Sequence, residues 1–291
     1  MRVLHLDCGK EFRGGQWQVL ALLQGLGAGS TLLTASDSPL MKAARDRGID
    51  AQPLNMLSIA TLSKRADLTH AHDARSHTWA ATLSGCPLVV SRRVAFPVGP
   101  SFLSRWKYGR AERYLAVSEH VKRTLVEAEV PETKISVVYD GVDIPDGVSS
   151  GDSIVAVRTD DPMKGNDLLD EAARIGGFEV RYSNHLKEDL ASAAVFVYIT
   201  RSEGLGSAAL MAMAAGVPVV ASRVGGLPEI IEHNKSGILT ENDPVAIAAS
   251  IMTACENRVE LGRNARIAVE QRFSTREMVE RTREAYRKVL G

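Results

Sequence analysis

Two basic residues and one acid stand where apolar runs in the second half of the chain give way to polar sequence. Arg158 ends the run SIVAVR, Lys164 begins the next helix-like segment, and Glu203 follows the run VFVYIT. Two cations placed in this way can hold a diphosphate, whereas a carboxylate repels phosphate but accepts hydrogen bonds from hydroxyl groups. The three residues predict a site for a phosphate joined to a polyhydroxyl group, as in a nucleotide sugar. A simpler interpretation stays open, in which both cations are solvated and paired with Asp160 and Asp161.

Glycine-rich turns surround the acid. After Glu203 the sequence enters a helix-like run of Ala, Leu and Met, and Gly225 and Gly226 open a second helix. Helix N-termini present backbone N–H groups that favour an anion. The turn after the acid consists of Gly204, Leu205, Gly206 and Ser207, and the two successive helix N-termini predict a site for a phosphorylated ligand.

Short apolar runs alternate with amphipathic segments along the chain, which is the pattern of parallel βαβ units. A stretch rich in Gly, Asp, Ser and Pro near residues 143–152 is typical of a linker. We therefore predict an α/β fold with two Rossmann-like parallel-sheet domains, over residues 1–145 and 150–272, and a C-terminal helix over 273–291. Ligands of such sheets bind at the carboxyl ends of the strands.

The first apolar run of the chain leads into a second glycine pair. RVLHLD is followed by CGKEFRGGQ, so that Gly14 and Gly15 lie just before a helix-like segment. Glycine allows close approach of a ligand to the backbone, and the helix N-terminus favours an anion. We include both residues among the ligand-binding candidates, while a purely structural turn remains an alternative.

Composition limits the class of protein. The chain has 35 Lys and Arg, 35 Asp and Glu, and no formal net charge, so a global field for nucleic acid is not implied. No run approaches ~18 apolar residues, and MRVLHLD is interrupted by an acid and lacks a cleavage site, so neither a membrane span nor a signal peptide is predicted. The cysteines Cys8, Cys86 and Cys255 have no disulfide or zinc spacing. We expect a cytoplasmic protein.

The chain as a whole resembles the family 4 retaining glycosyltransferases of the GT-B fold. The motifs that carry the resemblance are FRGGQ, LTHAHD, RYLAVSEHVKRTL, VVYDGVDIP, Arg158 with KG at 164–165, SEGLGSAALMAMAAGVPVVASRVGGLPEII and FSTREMVERTREAYRKVL. The resemblance implies that the two domains face a cleft, with the acceptor side in the first and the donor side in the second. It also implies that the C-terminal helix crosses back to the first domain.

The resemblance also implies roles for the polar residues. Arg158 and Lys164 would hold the donor diphosphate, Glu203 would contact sugar hydroxyls, and the backbone of 204–207 would support the phosphate. Transfer would move a hexose from a UDP-, GDP- or ADP-linked sugar with retained configuration. The charge of the leaving group would be stabilised by cations and helix N-termini. Because the chain has no convincing DxD motif, we predict neither a metal nor a cofactor, with the nucleotide sugar as co-substrate.

Three features depart from the family pattern. Met211 stands eight residues after Glu203, where the family usually has a second Glu that binds ribose; a thioether is only a weak acceptor. The first domain is short between AQPL and DLTHAH, and the sequence Ser91, Arg92 and Arg93 replaces the family's histidine. An inactive or non-catalytic homologue that binds a nucleotide sugar is therefore an alternative.

Candidate acceptor residues lie in the first domain. The segment from Arg92 to Arg113 is rich in cations and aromatic residues and contains one acid, Glu112. It is suited to a saccharide or lipid-linked acceptor, as in lipopolysaccharide synthesis, and to peripheral contact with an anionic membrane such as the inner face of the cytoplasmic membrane. A solvated helix face is the simpler alternative. The tentative acceptor residues are His72, Asp73, Arg92, Arg93 and Lys107.

Two other functions are weighed. His70 and His72 alternate along one strand, and the spacing HxHD is found in metal-dependent hydrolases, but no further ligands are indicated at other strand ends. GLGSAA over 204–209 fits G-x-G-x-x-A, and Arg223 stands where the 2′-phosphate of NADP would lie. That fingerprint normally opens the first βαβ unit of its domain, and an oxidoreductase leaves Arg158, Lys164 and Glu203 unexplained.

Overall fold

The computed structural model describes residues 1–99, 101–159 and 161–291, which form two α/β units. Unit 1 consists of Met1–Asp140 and Thr275–Gly291, and unit 2 consists of Gly141–Ser274. Each unit contains one parallel sheet, so both predicted parallel-sheet domains are confirmed.

Unit 1 contains a seven-stranded sheet with the strand order β3-β2-β1-β4-β5-β6-β7. The strands are β1 (Val3–Leu6), β2 (Ser30–Thr34), β3 (Asp50–Pro53), β4 (Leu68–Ala71), β5 (Leu88–Arg92), β6 (Arg113–Ala116) and β7 (Ile135–Val137). The helices are α1 (Gly14–Leu26), α2 (Pro39–Arg45), α3 (Met56–Leu62), α4 (Ala74–Leu83), α5 (Phe102–Gly109) and α6 (Glu119–Glu127). Side chains of Ser, Asn or Asp cap α2 through α6 at their N-termini, which satisfies amide groups that lack helical partners.

Unit 2 contains a five-stranded sheet with the strand order β12-β11-β10-β8-β9. The strands are β8 (Ser153–Val157), β9 (Val180–Ser183), β10 (Ala193–Tyr198), β11 (Val219–Ser222) and β12 (Gly237–Thr240). The helices are α7 (Asn166–Gly176), α8 (Leu186–Asp189), α9 (Ser207–Ala214), α10 (Leu227–Ile230), α11 (Pro244–Glu256) and α12 (Arg258–Arg272). β10 and β11 are almost wholly buried, as expected of central strands that helices cover on both faces.

The C-terminal helix α13 (Thr275–Leu290) belongs to unit 1, as the resemblance implied. It packs on α1 at Gly25, where an added Cβ atom would stand 2.4 Å from Val279 Cγ2. Arg283 Nη2 donates to the carbonyl of Gly25 at 2.9 Å, and Tyr286 is fully buried. A residue larger than glycine at position 25 would push the two helices apart.

One strand escaped the sequence analysis. β3 has the sequence DAQP and buries one of its four residues, so it forms no apolar run. It lies at the edge of the sheet and pairs with β2 alone. Edge strands tolerate polar residues and proline because one side of the strand needs no partner.

Candidate active site

Lys164 and Glu203 meet beyond the carboxyl end of β10 in unit 2. Lys164 Nζ lies 2.7 Å from Glu203 Oε2 and 2.9 Å from the hydroxyl of Tyr198, which donates to the same carboxylate oxygen at 2.5 Å. The side chains of Lys164 and Glu203 are 26% and 17% exposed. The three groups therefore form a compact polar triad that is partly open to solvent.

Backbone pairing fixes the relative positions of the triad members. Lys164 and Thr200 form an antiparallel bridge, in which Gly165 N–H donates to the carbonyl of Ile199 at 3.0 Å. Thr200 is in turn held by Ser222 Oγ, which accepts from its N–H at 2.9 Å, and by Asn242, whose amide donates to its carbonyl at 3.0 Å. The turn that carries Lys164 and the loop that follows β10 are thereby joined into one rigid arrangement.

Gly225 and Gly226 bring the next loop against the backbone of Glu203. An added Cβ atom would stand 1.9 Å from the carbonyl oxygen of Glu203 at Gly225 and 2.3 Å from that of Gly204 at Gly226. Gly225 also has a φ of +59°, and Gly226 N–H donates to the Glu203 carbonyl at 3.2 Å. Only glycine fits this approach, so the glycine pair that the sequence indicated as a helix opening also positions the acid.

The N-terminus of α9 begins directly after this turn. Gly206 is its N-cap, with a φ of 109° that favours glycine, and Ser207 is its first residue. Leu205, within the turn, is buried. Glu203 Oε1 accepts from the N–H of Gly204 at 3.0 Å. The helix terminus and Lys164 provide positive potential beside one carboxylate, which suits a ligand with both an anionic and a hydroxylated part.

Burial, and then the charge of Glu203, raise the pKa of Tyr198 well above its ordinary value. The phenol consequently keeps its proton and remains a hydrogen-bond donor to the carboxylate. The sequence analysis missed Tyr198, because within the run VFVYIT it resembles any other strand residue. Its position five residues before the acid, at the end of a strand that leads into the site, is the signal that could have identified it.

Met211 lies on α9, one turn beyond Ser207, and is half-buried. Its thioether is a weak acceptor, so this position offers no carboxylate to a ribose.

Arg158 is hydrogen-bonded to a different acid from the one in the triad. Its Nη2 donates to both carboxylate oxygens of Asp170, at 3.0 and 3.1 Å, and its Cζ lies 3.9 Å from the centre of the Tyr182 ring. Asp161 Oδ1 accepts from the N–H of Met163 and supports the turn before Lys164, while Asp160 lies outside the described residues. The structure thus pairs the two predicted cations with Asp170 and Glu203, not with Asp161.

In unit 1, Gly14 and Gly15 form the first turn of α1 instead of preceding it. No atom lies within 4 Å of a Cβ atom added at either position, so packing does not require glycine there. The preceding loop is organised by Asp7, which is buried and accepts from Gly9 N–H at 2.8 Å. Burial, followed by repulsion from Asp73, raises the pKa of Asp7.

Two of the tentative acceptor residues are engaged in contacts within unit 1. Asp73 caps α4 by accepting from the N–H groups of Arg75 and Ser76, and it also accepts from Cys8 N–H at 2.6 Å. Arg93 turns inward and lies 3.1 Å from the buried carboxylate of Asp140. These two side chains support the fold of unit 1.

The two other cations among the acceptor candidates, Arg92 and Lys107, lie nearer the surface. Arg92 donates to the carbonyl of Phe96 at 2.6 Å, and Lys107 Nζ lies 3.3 Å from Thr78 Oγ1 on α4. Burial and the charge of Arg92 lower the pKa of Lys107.

A cluster of buried histidines joins β1 to β4. His5 and His70 are register partners, and His72 follows on the same face, so the structure adds His5 to the pair that the sequence singled out. His70 bonds Tyr286 through Nδ1 at 2.6 Å and Ser91 through Nε2 at 2.8 Å. Burial lowers the pKa of His5 to about 3, so it is neutral at physiological pH.

The geometry of these imidazoles is that of a hydrogen bond. His5 Nδ1 and His72 Nε2 are 3.0 Å apart, and the two rings deviate from a common orientation by only 7° with centroids 5.3 Å apart. These values place the two rings end to end, so that Nδ1 of His5 and Nε2 of His72 point at each other along one line. A tetrahedral metal site instead needs nitrogen lone pairs that converge on a point beside them. The arrangement resembles a shared-proton pair more than a set of metal ligands.

Two family models match the chain in succession. The model described as Glycosyltransferase Family 4 matches residues 20–145, and the model described as Glycosyl transferases group 1 matches residues 153–257. The first covers most of unit 1 and the second contains the triad of Lys164, Tyr198 and Glu203. The fold and these matches identify two domains of the GT-B glycosyltransferase type, a family 4 domain followed by a group 1 domain.

Curated relatives are similar over part of their length. The α-maltose-1-phosphate synthase of Mycolicibacterium smegmatis is 37% identical over 130 residues, which are 40% of this chain and 34% of the relative. The N-acetyl-α-D-glucosaminyl L-malate synthase of Bacillus anthracis is 31% identical over 111 residues, which are 37% of this chain and 29% of the relative. The matched segments thus span about a third of the length of these relatives.

Solved structures share the fold over nearly the whole chain. HepE of Anabaena, solved in complex with UDP, has a TM-score of 0.87 at 17% identity, covering 99% of this chain and 100% of that one. The lipopolysaccharide outer core galactosyltransferase WaaB has a TM-score of 0.71 at 16% identity and covers 99% of each chain. At these identities the likeness establishes the fold. Throughout the described part of the chain, no helix combines the length and apolar character required to cross a membrane.

Proposed function

We propose that the protein transfers a hexose from a nucleotide diphosphate sugar to a saccharide or lipid-linked acceptor. The observation that carries the proposal is the triad of Lys164, Tyr198 and Glu203 beside the N-terminus of α9. A cation and helix amides favour the diphosphate, and a buttressed carboxylate accepts hydrogen bonds from sugar hydroxyls. One ligand with both parts accounts for the presence of opposite charges in the same small site.

In the proposed reaction the anomeric C–O bond to the diphosphate breaks and a new C–O bond to the acceptor forms on the same face. The proton of the acceptor hydroxyl passes to the departing phosphate oxygen, so no protein nucleophile is required. Lys164 and the α9 amides stabilise the charge that develops on the diphosphate. Glu203, held by Tyr198, orients the hexose, and the reaction requires no metal or cofactor.

Several observations bear on the identity of the donor and acceptor. HepE, which shares the fold, has been solved with UDP and with UDP-glucose, which supports a UDP-linked donor. WaaB is a lipopolysaccharide galactosyltransferase, which supports a role in cell-envelope polysaccharide or lipopolysaccharide synthesis at the cytoplasmic side of the membrane. Arg158 joins the diphosphate site in this scheme by exchanging Asp170 for phosphate.

A non-catalytic homologue that binds nucleotide sugars is the second candidate, because Met211 offers no strong acceptor to a ribose. The NADP alternative has less support. Arg223 Nε lies 3.5 Å from Glu241 Oε1, and its Nη2 donates to the carbonyl of Leu239. An acid next to this guanidinium competes with a 2′-phosphate.

The test is thermal unfolding in the presence of UDP, GDP, ADP or NADP. A nucleotide at about a hundred times its dissociation constant adds ~2.7 kcal/mol of stability. We expect one nucleoside diphosphate to raise the unfolding temperature by several degrees, and we expect Lys164→Gln to remove the rise. Lys187→Gln, on an exposed lysine of α8 in the same unit, is the matched control. A shift with NADP alone, or a shift that Lys164→Gln leaves intact, contradicts the proposal.

Catalysis is tested separately from binding. The matching nucleotide sugar, incubated with the protein and an acceptor extract, should release the nucleoside diphosphate, and proton NMR of the product should show the anomeric configuration of the donor. Binding without release under these conditions favours the non-catalytic candidate.

A further inference from the structure

Arg158, Asp170 and Tyr182 form a second polar cluster in unit 2, and its members come from three consecutive elements. Arg158 follows β8, Asp170 lies in α7, and Tyr182 lies in β9, which pairs with β8. Arg158 Nη2 donates to both carboxylate oxygens of Asp170, and the hydroxyl of Tyr182 donates to one of them, Oδ1, at 2.5 Å. The proposed transfer reaction gives Tyr182 no role and treats Asp170 only as the partner that Arg158 leaves.

The contact between Arg158 and Asp170 has the properties of an exchangeable ion pair. The two side chains are 53% and 50% exposed, and an ion pair in that environment contributes little because water screens it. Both hydrogen bonds come from Nη2 alone, so the pair lacks the two parallel bonds of the strongest contacts between Arg and a carboxylate. A diphosphate, which carries more charge than a carboxylate, can therefore displace Asp170 from Arg158.

Tyr182 supports both partners of this pair. Its hydroxyl bonds Asp170 independently of Arg158, so the carboxylate keeps a hydrogen-bond donor when the guanidinium binds another anion. Its ring contacts the guanidinium separately, with Cζ of Arg158 3.9 Å from the ring centre. Burial, followed by the hydrogen bond and the charge of Asp170, raises the pKa of Tyr182 to about 12, so the phenol keeps its proton. The cluster thus has two arrangements in which neither charged group lacks a partner.

We propose that Asp170 is an intramolecular competitor of the diphosphate for Arg158, and that it lowers the affinity of the site for the nucleoside diphosphate that the reaction leaves behind. This inference rests on the proposed function, because it assigns Asp170 a part in the same donor site. The carboxylate belongs to the chain itself, so it stays beside Arg158 at a high effective concentration. Once the sugar has been transferred, the re-formed pair of Arg158 and Asp170 assists release of the product.

A positioning role for Asp170 would have the opposite sign. If Asp170 held Arg158 in place for the phosphate, loss of the carboxylate would weaken nucleotide binding, whereas loss of a competitor strengthens it. Competition is favoured because a carboxylate beside the cation also repels a diphosphate that approaches the same cation. The sign of the effect therefore separates the two roles.

Isothermal titration calorimetry of the full chain with UDP, GDP and ADP measures this sign. Asp170→Asn keeps the shape of the side chain and removes its charge. We expect this variant to bind the nucleoside diphosphate that the wild type binds about two- to fivefold more tightly, the scale of one exposed ion pair. In stopped-flow experiments the same nucleotide should leave Asp170→Asn more slowly than it leaves the wild type.

Glu171→Gln is the matched control. It removes the same charge from the next residue of α7, where Glu171 Oε2 accepts from Arg174 Nε at 3.0 Å and does not contact Arg158. We expect the control to bind the nucleotide as the wild type does. The side chains of Asp170 and Glu171 are both well exposed, so neither change should lower the unfolding temperature appreciably.

Double variants separate competition from other effects of the substitutions. In an Arg158→Gln background, Asp170→Asn should leave the affinity unchanged, because no guanidinium remains to compete for. Tyr182→Phe keeps the ring but makes the carboxylate depend on Arg158 alone. It should weaken nucleotide binding in the wild type and have no effect in the Asp170→Asn background.

Unchanged or weaker binding by Asp170→Asn overturns this inference, and the proposed function still stands if Lys164→Gln weakens binding in the same titrations. An equal gain from Glu171→Gln also overturns it, since the gain would then come from net charge. So does an Arg158→Gln variant that binds the nucleotide as the wild type does. Absence of nucleotide binding in the wild type and in Asp170→Asn alike contradicts the proposed function, and this inference with it.

Discussion

Lys164 and Glu203 partly neutralise each other, and the hydroxyl of Tyr198 donates to the same carboxylate. In the structure that hydroxyl lies 2.5 Å from Glu203 and 2.9 Å from Lys164. A phenol that keeps its proton can donate to the carboxylate in both the free and the occupied site. Tyr198 is therefore a positioning residue for the acid.

Tyr198→Phe tests this role at the scale of one hydroxyl. Loss of one hydrogen bond to a charged group corresponds to ~1.5 kcal/mol, or about tenfold in affinity. We expect calorimetry to show weaker binding of the nucleotide sugar, because Glu203 contacts the sugar in the proposed function, and nearly unchanged binding of the nucleoside diphosphate alone. Equal losses for both ligands would mean that Tyr198 acts on Lys164 or on folding instead.

The sequence predicted that Lys164 and Glu203 lie near the same end of the sheet, because each comes after a parallel strand, and the structure brings them to 2.7 Å of each other. The sequence could not place Arg158 or Arg93, since a strand end does not specify which nearby acid a long side chain will meet. Asp170 is twelve residues from Arg158 and Asp140 is forty-seven residues from Arg93. Such pairings depend on how helices and strands pack, which no local pattern encodes.

At the scale of elements, the loop after β10 that carries Glu203 is positioned by backbone contacts more than by side chains. The loop that contains Gly225 and Gly226 passes within contact distance of the Glu203 and Gly204 carbonyls, so that any side chain there must displace the acid. In the proposed function, local stability and donor binding are therefore coupled through this loop.

Gly226→Ala should lower both the local stability and the affinity for the nucleotide sugar. Its Cβ atom would stand 2.3 Å from the carbonyl oxygen of Gly204, and overpacking of this kind costs about 1–3 kcal/mol. We expect a lower midpoint in urea unfolding and weaker binding of the nucleotide sugar. Gly147→Ala is the control, since an added Cβ atom there has no atom within 4 Å. Similar midpoints for the two variants would show that the loop relaxes without strain.

Most elements followed from the alternation of apolar runs and amphipathic segments, and the exceptions have physical reasons. β3 is a polar edge strand, and Gly14 and Gly15 belong to α1, where Gln16 Oε1 accepts from the N–H of Arg13 at the start of the helix. The exposed face of α5 was indicated by its aromatic and basic composition, but the sequence could not say which residues point outward. That information came from the packing of Tyr108 on Tyr114.

At the scale of the whole molecule, buried histidines link the stability of unit 1 to pH. Burial lowers the pKa of His5 and of His77 from 6.5 to about 3. The pKa values of His70 and His72 are lowered as well, also chiefly by burial. These histidines are neutral when folded, while the unfolded chain takes up protons below its ordinary histidine pKa of 6.5. Their contribution to stability is therefore complete above that pH and is lost as the pH falls toward 3.

We expect the free energy of unfolding of unit 1 to decrease on acidification from about pH 7.5 to about pH 5, by up to ~1.4 kcal/mol per pH unit for each such histidine. The raised pKa of Asp7 acts in the opposite direction at lower pH, because the folded state then binds that proton more readily. Urea unfolding at several pH values measures the slope. His77→Phe, which replaces the imidazole by an apolar ring, should reduce the slope. A flat slope in the wild type would contradict this assignment.

The division into two units and the class of the protein followed from motifs distributed over the whole chain, and the family matches agree with them. The donor, the acceptor and the linkage depend on the shape of loops, which the spacing of residues along the sequence does not determine. Their identity therefore rests on ligand-binding and transfer experiments with the intact chain.

The most direct test of the central claim is isothermal titration calorimetry of the nucleotide sugar selected by the thermal screen, with the wild type, Lys164→Gln, Glu203→Gln and the control Lys187→Gln. We predict that the wild type and Lys187→Gln bind alike. Lys164→Gln should lose affinity for both the sugar donor and the free diphosphate, and Glu203→Gln should lose affinity for the sugar donor alone. Unchanged binding in both active-site variants would show that the triad beside α9 is not the donor site.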